Sequence, residues 1–260
     1  MKKIKSFSIV YLFAIIALFP SCEKDVSNTP GSSSDLKCKS YNVYDGSDLS
    51  ELALIQSVSL EYNADNQLVS KIESYYDESE LLLTTNHDYT YQQNLVVESV
   101  RLNIQGDNYF SKTFFHLNAQ GLVIKDSSID YDNDIVVHHF TYNNQNKRVY
   151  RYISDTLDGG FVYLWNQNNL EQEFLISQMG RFPINSFQYS STLNTIDLGD
   201  FWYNGEKSEN LLDKSIDPNT NLEYRYTHKI ESDGFVSEQI IAYCPTGGEP
   251  HWYTKTVFVR

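Results

Sequence analysis

Paired carboxylates are the residues of this chain best suited to chemistry: Glu171 with Glu173, and Asp197 with Asp200. On a strand, two-residue spacing sets the first pair on one face. Two carboxyls about 5 to 9.5 Å apart across a cleft can hydrolyse a glycosidic bond. With 34 acidic residues, however, such pairs arise by chance. No G-x-S-x-G elbow, H-E-x-x-H helix, phosphate loop or dinucleotide fingerprint accompanies them. The residues therefore predict no catalytic set and no cofactor. A polysaccharide hydrolase using paired carboxylates stands as the least favoured alternative.

Metal chemistry has little more support. Asp130, Asp132 and Asp134 alternate like a calcium loop, but Ile135 stands where glycine is needed and Thr141 where a bidentate glutamate is needed. The segment reads better as a polar connection between hairpins. His138 and His139 are adjacent, so on a strand they project to opposite faces. His116, His138 and His228 would meet only if their strand registers allowed it, and no metal site is expected. Cys38 and Cys244 lie near the two ends of the folded region. They either bridge, for up to roughly 5 kcal/mol on a loop-entropy argument, or remain two buried free thiols. Neither has a C-x-x-C neighbour.

The aromatics offer a binding chemistry. Trp202, Tyr203 and Trp252 lie near Gly and Pro. Aromatic rings stack on the apolar faces of sugars while nearby Asn and Asp bond hydroxyls. Tyr62, Tyr91, Leu117, Tyr142 and Trp165 instead recur in register, which marks them as core.

Those anchors sit in a repeat. Ser57–Tyr76, Asn86–Ile104, Lys112–Tyr131, Val136–Asp155 and Gly159–Gln178 each run aromatic residue, polar turn, then Leu or Val. That is one hairpin per unit. Val58, Leu60 and Tyr62 alternate with Ser57, Ser59 and Glu61, and Val100, Leu102 and Ile104 with Arg101 and Asn103. The turns Asn63 to Asn66, Asn118 to Gly121 and Asn143 to Asn146 carry residues that tolerate left-handed backbone. The pattern blurs from Ser186 to Asp213, returns at Glu223–Ile241 around Asp233-Gly234, and ends in a strand from Trp252 to Val259. No helical period appears. Six or seven hairpins predict an all-β antiparallel meander of 12 to 14 strands, a strongly curved sheet or a barrel. The face opposite the apolar one carries Lys71, Glu73, Arg101, Lys125, Arg151, Glu171 and Arg225, and either a wet lumen or an outer surface would hold them.

Residues 1–21 form a separate unit. Lys2, Lys3 and Lys5 precede an apolar stretch from Phe7 to Phe19, too short to cross a bilayer comfortably. Leu18-Phe19-Pro20-Ser21-Cys22 resembles a bacterial lipoprotein signal, with Phe19 in place of the usual leucine. The resemblance implies cleavage before Cys22 and lipid on its thiol. Residues 22–36 read as a flexible tether rich in Ser, Thr, Pro and Gly, and 37–260 as a single β domain. Glu23-Lys24-Asp25 resembles the charged signal of surface-exported lipoproteins of Bacteroides-type bacteria. Loss of the three lysines leaves 17 basic against 34 acidic residues. Such a surface repels nucleic acid and anionic headgroups.

The units (aromatic)-x-Tyr-Asn-x-x-Asn-Gln-Leu-Val and Ser232-Asp233-Gly234-Phe235-Val236 resemble those of Bacteroides-type lipoproteins of unknown function with a porin-like fold. They are more distantly similar to tyrosine-aspartate hairpin repeats. The resemblance spans Val58 to Ile241 and implies an antiparallel barrel, without activity or site residues. An acyl anchor is superfluous for a spanning barrel, so a soluble tethered domain is expected. The functional expectation is a lipid-anchored protein of the bacterial outer membrane, on its periplasmic or surface side. It would be a binding module for a glycan, peptide or other surface ligand, with a structural partner of an envelope complex as the alternative.

Overall fold

The computed structural model describes residues 37–104, 106–130, 132–153, 159–177, 179–194 and 208–260. Residues 1–36, with Cys22 and the tether, lie outside them, as do Asp197, Asp200, Trp202 and Tyr203.

Sixteen strands follow in order: β1 (Ser40–Gly46), β2 (Ala53–Tyr62), β3 (Leu68–Asp77), β4 (Glu80–Gln92), β5 (Leu95–Ile104), β6 (Asp107–Leu117), β7 (Val123–Ile129) and β8 (Ile135–Tyr142). The second half comprises β9 (Arg148–Ile153), β10 (Gly159–Asn166), β11 (Asn169–Ser177), β12 (Gly180–Leu193), β13 (Asn210–Asp217), β14 (Leu222–Ile230), β15 (Val236–Pro245) and β16 (Trp252–Val259). Each strand pairs antiparallel with its sequence neighbours, and β1 pairs with β16, so the meander closes into a barrel. Closure removes the two open edges that a sheet of this size would otherwise expose. The expected 12 to 14 strands fall short because β1 is not legible as a strand and because β12 and β13 run into the segment from Ser186 to Asp213 where the pattern blurs. Only Tyr41 and Val43 mark the inner face of β1, in a short polar segment.

The repeated turns explain the repeated hairpins. The side-chain oxygen of Asn63 accepts the backbone N–H of Asp65 and Gln67, at 3.0 and 2.9 Å. Asn118 does the same for Gln120 and Leu122, and Asn143 for Gln145 and Lys147. The fourth turn residue in each case has positive φ: Asn66 at 61°, Gly121 at 82° and Asn146 at 59°. A bulge follows beside each turn, between Glu61 and Tyr62, His116 and Leu117, and Thr141 and Tyr142. One extra left-handed residue lets a type I turn match the twist of its strands. Asp130 builds the same turn with Asp132 and Asp134 at the opposite end of the barrel. The three aspartates are therefore hairpin chemistry.

Side chains alternate between lumen and outer wall, and the lumen is layered. Tyr41, Leu60, Leu68, Val96, Phe115, Leu117, Val123 and Phe258 form one buried cluster at the end that holds the Asn turns, the start of β1 and the end of β16. Leu68, Val96 and Val123 are 0% exposed although they point inward. Side chains rather than water therefore fill the lumen at this closed end. The anchor tyrosines Tyr62, Tyr91 and Tyr142 pack against this cluster. Their hydroxyls reach the carbonyls of Cys38, Leu68 and Val123 at 2.8, 2.7 and 2.8 Å. The indole N–H of Trp165 reaches the Arg148 carbonyl at 2.6 Å.

The outer wall is polar on β2, β4, β5, β13 and β14, and elsewhere carries Ile72, Phe110, Val137, Val162, Leu164 and Phe174. It carries Ser57, Ser59 and Glu61 on β2, Asn86, Asp88 and Thr90 on β4, and Ser99, Arg101 and Asn103 on β5. Across β13 and β14, Glu223 lies 2.6 Å from both Lys214 and Arg225.

Candidate functional site

Above the closed end the inward wall becomes polar. Around β3 to β5 the Glu73 carboxylate meets Lys71 Nζ at 2.8 Å, the Tyr75 hydroxyl at 3.0 Å and His87 Nε2 at 3.3 Å. His87 Nδ1 lies 2.8 Å from Glu98, which also accepts the Tyr89 hydroxyl at 2.9 Å. Two cations and two carboxylates thus balance in a nearly dry layer. Burial works to raise the Glu73 carboxyl, but the bond to His87 and the Lys71 ammonium outweigh it and bring it down to about 2. Burial likewise opposes protonation of His87, yet its bonds to Glu73 and Glu98 lift it to about 9.

A second group spans β7 to β12. His138 Nδ1 lies 2.8 Å from Asp126, and Arg151 Nη2 lies 3.1 Å from His138 Nε2. Arginine can only donate, so Nε2 accepts and the imidazole proton sits on Nδ1, facing Asp126. The Arg151 guanidinium lies 6.0 and 5.7 Å from the ring centroids of Phe140 and Phe161. Burial pushes the Glu173 carboxyl up, against a 3.2 Å hydrogen bond from Asn185 and the fields of Arg151 and Arg148. On β14 and β15, Gln239 meets His228 at 2.9 Å.

At the other end the inward side chains meet solvent. Tyr109, Val136, Leu175, Phe182 and Trp252 all face the lumen by register, yet are 38 to 42% exposed. Trp252 donates its indole N–H to Asp45 at 3.1 Å, and burial pushes the Asp45 carboxyl up despite that bond. The inward wall thus runs from apolar and aromatic residues exposed at one end, through a polar layer, to a buried apolar cluster at the other.

The sequence candidates scatter. Trp252 lies on the rim. Glu173 lies in the polar layer, but a bulge between Leu164 and Trp165 interrupts the alternation, and Glu171 is exposed. The pair expected on one face is thus separated. His138 and His139 do face opposite ways: His139 stacks on Tyr152 at 4.8 Å outside. His116 also points outward. Among the described residues no three His, Cys, Asp or Glu side chains converge on a metal position.

Of the two alternatives for Cys38 and Cys244, the structure has the unbridged one. Both thiols are buried and free. Tyr243 pairs with Trp252, and Tyr253 with Gly46, so Cys244 lies beyond the Gly46 end of β1 while Cys38 precedes Ser40. The seven residues of β1 between them span roughly 23 Å at about 3.3 Å each. A disulfide needs Cα atoms within about 7 Å.

Sequence reasoning missed Lys71, His87, Glu98 and Arg151 as a lumenal set. The alternating charge is visible in the strands, but only strand register says which charges face inward. Lys71, Glu73 and Arg151 do, whereas Arg101, Lys125 and Arg225 point out.

No protein-family model and no curated protein matches the chain. Among solved structures, the fold is similar to that of a porin-like protein from Bacteroides uniformis ATCC 8492, at a TM-score of 0.61 and 14% identity over 85% of this chain and 96% of that one. A porin-like protein from Bacteroides vulgatus ATCC 8482 aligns over 86% of this chain and 98% of that one, at a TM-score of 0.28 and 10% identity. What this chain is similar to is thus a porin-like antiparallel barrel.

Proposed function

We propose that this chain is a lipid-anchored envelope protein that binds its ligand, without catalysis, inside the open end of a blind barrel. The observation that carries the reading is the gradient along the lumen. Inward side chains are buried at one end and exposed at the other, which is the shape of a receptor cup rather than of a conduit. The aromatic rim and the hydrogen-bonding layer beneath it suit a glycan, a peptide or another surface ligand. The polar outer faces of β2, β4, β5, β13 and β14 suit a domain held in water by an acyl chain on Cys22, because a spanning barrel presents an apolar band about 25 Å tall around its whole circumference. β1 begins at the closed end, so such a tether leaves the mouth facing away from the membrane. The acidic surface argues against nucleic acid.

A screen of envelope and dietary glycans and of peptides, run on the protein and on Trp252→Ala, tests this. Binding that Trp252→Ala weakens is expected. Ion conductance in planar bilayers, with no ligand found, would count against a blind cup.

The outer wall favours a second reading, docking within an envelope complex. Phe110, Ile124 and Ile135 are exposed on neighbouring strands β6 to β8. Crosslinking in cells that recovers only the free monomer would retire it.

A further inference from the structure

Two thirds of the large apolar side chains that stay exposed crowd one end of the barrel. The connections after β1, β3, β5, β7, β11, β13 and β15 lie at the end where inward side chains meet solvent. Twelve of the eighteen exposed large apolar residues fall within four residues of these connections. Seven of the twelve sit on three successive hairpins, β3–β4, β5–β6 and β7–β8: Leu81 and Leu82, Ile104, Tyr109 and Phe110, then Ile135 and Val136. Their tips are side by side in the wall, about 10 Å apart at two strand spacings each. A contiguous exposed apolar patch rimmed by polar groups marks an interaction surface.

The charge around this patch says what fits it. With their flanking strand residues, the seven connections hold eleven Asp or Glu and no Lys or Arg. The connections after β2, β4, β6, β8, β10 and β14, at the opposite end, hold three acids, Asp65, Glu231 and Asp233, and two bases, Lys147 and Arg148. Turn chemistry does not demand this bias. Asn63, Asn118 and Asn143 build their turns with a neutral amide, whereas Asp130 builds the same turn at the apolar end with a carboxylate. Seven of the eleven acids lie on the same three hairpin tips as the apolar patch, where Ile104 pairs with Asp107, Leu81 follows Glu80 and Ile135 follows Asp134. The base nearest these tips in sequence, Arg101, lies 5.7 Å from the Phe110 ring centroid. Nucleic acid, anionic headgroups and acidic saccharides are repelled here. A lone metal ion finds no three convergent ligands among the described residues. A neutral glycan leaves the carboxylates without a counter-charge.

We propose that the tips of β3–β4, β5–β6 and β7–β8 bind a basic amphipathic peptide. Its apolar side chains cover Leu81, Ile104, Phe110 and Ile135, and its Lys or Arg side chains meet the carboxylates between them. Burial of the apolar patch supplies affinity, while the acidic crown steers the peptide in and rejects anionic competitors. Three tips span roughly 20 Å, the length of about six extended residues. The site is on the surface of the barrel end, so no passage through the lumen is needed. The inference rests on the reading of the open end as the binding end, and it names the class of ligand.

Fluorescence anisotropy on the purified full chain tests it, with labelled peptides of one length that alternate Lys with Leu, Glu with Leu, or Lys with Ser. The Lys–Leu peptide is expected to bind about tenfold tighter than either of the others, and to weaken about tenfold between roughly 30 and 300 mM salt. Glu78→Gln with Glu80→Gln should weaken it about threefold. Glu61→Gln with Asp65→Asn removes the same charge near the opposite end and should leave it unchanged. Leu81→Ser with Ile135→Ser should weaken it as well. All six side chains are exposed, so each variant should keep its melting temperature. Equal binding of the Glu–Leu peptide would overturn the charge assignment, and equal binding of the Lys–Ser peptide the role of the apolar patch. Unchanged binding by the Glu78 and Glu80 variant would overturn the placement on these tips. No binding of any peptide would overturn the inference as a whole, while the glycan screen above judges the barrel-binding reading separately.

Discussion

The Tyr91 hydroxyl donates to the carbonyl of Leu68 at 2.7 Å, across the join between β4 and the first residue of β3. Tyr62 and Tyr142 make the same bond to Cys38 and Val123. Each ring packs on the core while its hydroxyl satisfies a carbonyl at or just before the start of the preceding strand. Tyr91→Phe keeps the ring and strands that carbonyl. It is expected to cost about 1 kcal/mol in urea unfolding, with the m-value unchanged.

Stability should depend on pH through His87 and Glu73. His87 moves from 6.5 when unfolded to about 9 when folded, so its contribution is full below 6.5 and is lost as pH rises through 9. Glu73 moves from 4.5 down to about 2, so its contribution is full above 4.5 and is lost as pH falls through 2. The two overlap fully between pH 4.5 and 6.5. The alkaline fall is of the order of 3 kcal/mol. Thermal unfolding across pH should show it, and His87→Gln should flatten that limb.

Asn146 holds φ at 59° in the β8–β9 turn. Asn146→Ala should destabilise by about 1 to 2 kcal/mol, because a Cβ without a polar partner resists that region. Asn146→Gly should be close to neutral. Chemical denaturation of the two variants checks the contrast.

Cys38 and Cys244 should behave as protected thiols. A thiol reagent is expected to label neither in the folded protein and both after denaturation, and reductant should leave the melting temperature unchanged. A crosslinked monomer lighter by two hydrogens under oxidising conditions would contradict the barrel register.

Much of the barrel is legible in the residues themselves. Tyr62, Tyr91 and Tyr142, each followed by an Asn turn, announce hairpins because both the ring position and the left-handed turn residue are chemically demanding. β1 is not legible, since Tyr41 and Val43 are too few to make a period. The lumenal cluster is hidden as well. Glu73 and Arg101 look alike in a strand sequence, and only pairing with Lys71 and His87, or with Phe110, tells inner wall from outer. Trp252 falls outside the repeat, and that irregular position is where the rim lies. The bridge between the cysteines fails for the opposite reason: nearness to the two ends of a chain says nothing of height along a barrel.

The pairing of Ser40 with Val259 joins the first strand to the last. Every other seam joins neighbours in sequence and can zip as a hairpin, but this one must wait for the eight residues of β16. Until β16 is delivered, β1 and β15 are bare edges able to recruit strands from other molecules. Assembly of the wall can thus proceed locally and fast, while its completion is a single long-range event that sets the pace of folding. A chain cut short before Trp252 would be almost entirely synthesised and still adhesive. The last strand acts as the latch that turns an aggregation-prone ribbon into a sealed particle.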